Sequence, residues 1–114
     1  VNIASNTVYI ELPTAVNNDN LRFKFVLHAL SNNEATKDFV IQTAADSQDI
    51  MGSIFEGQGA LTEITEDTSM VQWDTSDGAA TVGDWLEVVS FDGHWYAMGI
   101  ANTASAVDIA DARA

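Results

Sequence analysis

A chain of 114 residues with 17 Asp and Glu against 4 Lys and Arg carries a formal net charge of −13. That field repels phosphate backbones and anionic lipid, which argues against direct nucleic-acid or membrane binding. Cysteine is absent, removing disulfide frameworks, thiolate nucleophiles and cysteine-ligated metal centres. With 46% hydrophobic residues the composition is globular, and this length builds one core that buries roughly 65% of the unfolded surface.

The first predicted strand runs from Asn6 to Leu12. Val8, Ile10 and Leu12 alternate onto one face, and Pro13 ends the ladder because it has no N–H. Asn17-Asn18-Asp19-Asn20 is turn chemistry, since Asn and Asp tolerate left-handed backbone and bond their own main chain. Leu21 to Leu30 alternates most regularly, and is expected to bury Leu21, Phe23, Phe25, Leu27 and Ala29 while Arg22, Lys24 and His28 face the other way. In so acidic a chain Arg22 and Lys24 are expected to meet carboxylates of an adjacent strand or subunit. After the turn cluster Ser31 to Thr36, the segment from Asp38 to Ala44 is a predicted strand and Ala45 to Asp49 a loop. Ile50 to Phe55 is a short apolar run, and Gly57-Gln58-Gly59 marks a corner after it. Leu61 to Thr65 and Ser69 to Thr75 have strand character, and Asp74 to Gly78 connects the second of them to Ala80–Gly83.

Gly83 to Gly99 is a predicted β-hairpin. Two apolar runs flank Asp92-Gly93, a pair that supplies the positive φ angles a two-residue turn requires. Trp85, Glu87 and Val89 share one face of the first run, and Leu86, Val88 and Ser90 the other. On the second run Trp95, Ala97 and Gly99 oppose Tyr96, Met98 and Ile100. Both faces carry apolar groups, so the hairpin belongs inside a two-layer structure or against a neighbouring subunit. Short strands at about ten-residue spacing with no helical period predict an all-β fold: an antiparallel β-sandwich, jelly-roll-like, of seven to nine short strands. Residues 1–102 form the expected sandwich. Residues 103–114 form a C-terminal arm that adds to a neighbour's sheet, or a frayed tail.

No chemistry-bearing motif stands out. His28 and His94 lack metal-ligand spacing. Ser90, Asp92 and His94 lie close in sequence, yet alternate strand positions around a turn do not align a nucleophile, base and acid. Glu63, Glu66 and Asp67 form one acidic cluster. Asp74 to Gly78 forms another, but its glycine is fifth rather than sixth, unlike a calcium loop. Paired carboxylates for a sugar-active enzyme are a weak signal among 17 acids. The reading therefore assigns no catalytic residue, no metal and no cofactor. No apolar run approaches the roughly 20 residues of a membrane span, and the first residues lack a signal-peptide core. The chain starts at Val1 rather than Met, as a processed terminus or a piece of a longer polypeptide would.

The pattern Gly-Asp, apolar strand, Ser-x-Asp-Gly-x-Trp-Tyr-x-x-Gly resembles one found at the ends of many tailed-bacteriophage virion proteins, among them tail fibres, head fibres and capsid decoration proteins. Leu12-Pro13, Arg22 to Val26, Phe39 to Ala44 and Ile50 to Ser53 extend the likeness over roughly residues 6 to 101. The resemblance implies a non-enzymatic capsid decoration or cement protein on the outer surface of the virion. It would bind the major capsid protein as a homotrimer, although periodicity alone also allows a dimer. The expected interface residues are Tyr9, Arg22, Lys24, His94, Tyr96 and Met98, with Phe23, Phe25, Trp85, Val89 and Trp95 as buried contacts. The alternative is a tail-fibre or receptor-binding domain that holds a host glycan on Trp73.

Overall fold

The computed structural model describes residues 8–28, 39–45, 48–57, 60–64, 70–73, 81–103 and 107–110. Nine strands are present among them: β1 (Val8–Glu11), β2 (Arg22–Val26), β3 (Phe39–Gln42), β4 (Ile50–Glu56), β5 (Ala60–Ile64), β6 (Met70–Trp73), β7 (Trp85–Phe91), β8 (His94–Ala101) and β9 (Val107–Ala110). They form a four-stranded sheet, β1-β3-β6-β9, and a five-stranded sheet, β2-β7-β8-β4-β5. The fold is an all-β sandwich.

The two layers meet through the alternating apolar positions of their inner faces. Phe39, Ile41, Val71 and Trp73 come from the smaller sheet, and Ile50, Ile54, Ile64, Leu86, Val88 and Trp95 from the larger. A string of rings runs between the layers. Trp95 lies 6.0 Å from Phe23, Phe23 6.4 Å from Phe25, Phe25 6.1 Å from Phe39 and Phe39 5.7 Å from Trp73, centroid to centroid. These separations are typical of aromatic pairs whose ring edges and faces attract. Leu12, Ala15 and Leu27 cap the core from the connecting segments.

Five of the seven strand pairings are antiparallel, whereas β1·β3 and β4·β8 are parallel. Here the expectation of a wholly antiparallel, jelly-roll-like sandwich needs correction, and the cause is local. An eight-stranded jelly roll sends its seventh and eighth strands into different sheets and lays the eighth between the first and third. In this chain Asp92 and Gly93 both hold positive φ, 51° and 81°, and close a two-residue turn with Phe91 opposite His94. So short a turn cannot cross the roughly 10 Å between layers. It keeps β8 beside β7, between β7 and β4. The missing middle strand leaves β1 directly against β3, and the inserted one lies against β4, which makes each of these pairs parallel.

Residues 107–110, on the segment expected to be an arm or tail, pair with β6 of their own chain and form the edge of the four-stranded sheet. The loop before β2 follows its amide chemistry. Asn17 and Asn20 take positive φ, the Asn20 N–H donates to the Ser90 carbonyl at 2.7 Å, and the Asn18 side chain donates to the Thr14 carbonyl at 3.0 Å. Ahead of β7, the carboxylate of Asp84 is buried and collects three donors: the Thr81 N–H at 3.0 Å, and the Asn102 N–H and side-chain amide at 3.0 and 2.7 Å. That clamp ties the start of β7 to the end of β8 and satisfies a group that would otherwise be costly to bury. Reading the sequence alone did not single it out.

Candidate functional site

Strand pleating turns every second residue of the five-stranded sheet outward, and register decides which outward residues become neighbours. Val26 pairs with Trp85, Trp85 with Ile100, Ile100 with Phe55 and Phe55 with Leu61. One apolar row therefore crosses all five strands on the side away from the core. Four of its members are open to solvent, with Val26 43%, Ile100 40%, Phe55 49% and Leu61 58% exposed, and Trp85 is half-buried. Val89, Tyr96 and Met51 line up on the same face four residues along, and Phe91 follows opposite His94. Between these rows lie Lys24, Glu87, Met98 and Ser53. Contiguous exposed apolar surface of this extent marks an interaction site more often than chance exposure.

Arg22, Lys24 and Glu87 bring charge to this face. Glu87 is opposite Lys24 in the ladder, but its carboxylate accepts a 2.7 Å bond from the Arg22 guanidinium on the diagonal. The Lys24 ammonium instead sits 4.5 Å from the centre of the Trp85 ring, a cation–π contact that also lays its aliphatic stem on the sheet. At the far corner Nδ1 of His94 is 3.9 Å from a carboxylate oxygen of Asp49 and, among the described residues, has no hydrogen-bond partner. The Tyr96 ring meets the His94 ring edge-on at 6.5 Å.

Arg22, Lys24, His94, Tyr96 and Met98 thus come together on one face, whereas Tyr9 is on β1, the edge of the opposite layer. Val26, Phe55, Leu61 and Ile100 complete the surface. Ile50 to Phe55 reads in the sequence only as a short apolar run, and the parallel β4·β8 register that aligns Phe55 with Ile100 is a long-range feature. Phe23, Trp85 and Val89 require correction as buried contacts: Phe23, on the inner side of the edge strand β2, is 36% exposed, and Trp85 and Val89 are half-buried on the outer face, while Trp95 is buried between the layers. Trp73 requires one too. At 1% exposure it has no open ring face for a sugar, so it is core and not a glycan platform.

Ser90 is buried on the inner side, where its hydroxyl accepts the Leu21 N–H at 2.9 Å and donates to the Asn18 carbonyl. His94 is on the other side of the same sheet, so these residues latch a loop and do not converge on a substrate. A depression of about 290 Å³ beside the hairpin turn is lined by Val16, Asn17, Asp19, Asp92 and Gly93. There the Asp92 N–H donates to the Asp19 carboxylate at 2.9 Å. Among the described residues no group of three or more His, Asp or Glu could hold a metal ion. The acids at 66, 67, 74 and 77, and the side chain of Glu63, lie outside the described residues. Comparison with protein-family models, curated proteins and solved structures found no match.

Proposed function

We propose that the chain is a non-enzymatic structural protein of a tailed-phage virion, a decoration or cement protein that binds the major capsid protein on the outer surface of the shell as a homotrimer. The observation that carries this reading is the apolar row across the outer face of the five-stranded sheet, on a chain whose charge of −13 keeps it away from packaged DNA. The order of segments that resembles phage virion proteins supplies the setting, and the exposed row supplies apolar surface on which a homotrimer can assemble.

The physical action is clamping. A ligand that binds the closed shell and not the opened one stabilises it by mass action, by about 2.7 kcal/mol per site at a free concentration near 100 times Kd. That corresponds to about 100-fold in the opening equilibrium of each site. A contact of this kind buries roughly 1,200 to 2,000 Å². Particles made without the protein are expected to assemble but to lose infectivity sooner on heating or osmotic shock, and purified protein added back should restore resistance. Particles equally robust with and without it, or a protein that does not sediment with heads, would overturn the reading.

A further inference from the structure

We infer that the outer face of the five-stranded sheet is where copies of this chain meet one another. The inference deepens the homo-oligomeric reading above and rests on it.

The first argument is area. Five strands of five to eight residues, at about 4.8 Å spacing and about 3.4 Å rise per residue, present on the order of 500 Å². Two such faces bury roughly 1,000 Å², the smallest area expected of a specific interface. The second is charge. Each copy carries −13, so approach through most of the surface is repulsive. This face holds Arg22 and Lys24, two of the 4 basic residues, with Arg22 joined to Glu87 and Lys24 seated over Trp85. A strongly basic partner would be drawn to the acidic remainder of the molecule, and a strongly acidic one would find these cations already engaged. The surface is mainly apolar, with Glu87 held by Arg22 and Lys24 laid over Trp85, so the same apolar face on neighbouring copies, gathered around a shared axis, can cover it.

The test is the mass of the purified chain by light scattering across concentration, for wild type and for Ile100→Glu. Both side chains at that position are exposed in the free protomer, so the circular dichroism melt of the protomer should not fall. A charge placed in the middle of the buried row should weaken association by about 30-fold or more. Phe55→Lys reads the same row from β4 should Ile100→Glu fail to fold, and Tyr9→Glu, on the opposite layer, should leave the mass unchanged. Raising the salt should tighten association, because it screens repulsion between acidic copies.

An oligomer dispersed by the row variants and not by Tyr9→Glu supports the inference. An oligomer of unchanged mass in folded row variants overturns it and leaves the homotrimer reading standing. A wild type that stays monomeric at high concentration overturns both.

Discussion

Replacing Gly52 with alanine is expected to lower stability by on the order of 4 kcal/mol or more, a large part of a typical stability of about 5 to 15 kcal/mol. Gly52 lies within β4 at φ 142°, paired with Ala97 on one side and Ile64 on the other. A Cβ there would collide with the carbonyl oxygen of Ala97. This obstacle is main chain, and β8 cannot retreat because it is hydrogen-bonded to β7 on its other side. Strain from the positive φ adds about 1 to 3 kcal/mol. Gly83 provides the contrast: its φ is 101°, but an added Cβ would meet nothing within 4 Å. Gly83→Ala should therefore cost only the backbone strain. Urea unfolding followed by circular dichroism measures both, and a Gly52→Ala midpoint near that of wild type would contradict the packing of β4 against β8.

Trp95→Ala is expected to cost about 3 to 5 kcal/mol. The indole is fully buried, packs 6.0 Å from the Phe23 ring, and donates its N–H to the Pro13 carbonyl at 3.3 Å. Removing it opens a cavity between the layers and leaves that carbonyl without its donor. Trp85 is ten positions earlier, on the opposite side of the same sheet. Trp85→Ala should leave the protomer nearly as stable, because it removes a half-buried ring that supports Lys24, while weakening any contact made by the outer face. Unfolding midpoints separate the two, and equal losses of protomer stability would contradict the assignment of faces.

That pair also shows where the sequence could be read and where it could not. The Asp92-Gly93 turn was legible because its determinant is local: two adjacent residues that accept positive φ between two apolar runs. The alternation of Arg22 to Val26 was legible for the same reason. Period-two patterning separates two faces but does not say which is inner when both are apolar, so Trp73 and Trp85 exchanged places relative to expectation. The parallel pairings were not legible, because they follow from β8 staying with β7, a choice between sheets made at long range. The same choice lines Phe55 up with Ile100, and with it creates the full width of the exposed row. The Asp84 clamp joins residues 81, 84 and 102, and nothing in their spacing announces it.

A single short turn diverts one strand from one layer to the other, and the enlarged sheet then carries more apolar outer surface than a monomer of this charge would be expected to leave bare. Under the proposed function, copies of the chain would shield that surface from water and the assembly would be held on a shell.

Electron cryomicroscopy of the intact particle tests this most directly. The account predicts three-fold densities on the outside of the head, with the five-stranded sheets turned toward one another and the row from Val26 to Leu61 covered. Density confined to the tail, or single copies on the head with that row facing solvent, would contradict it.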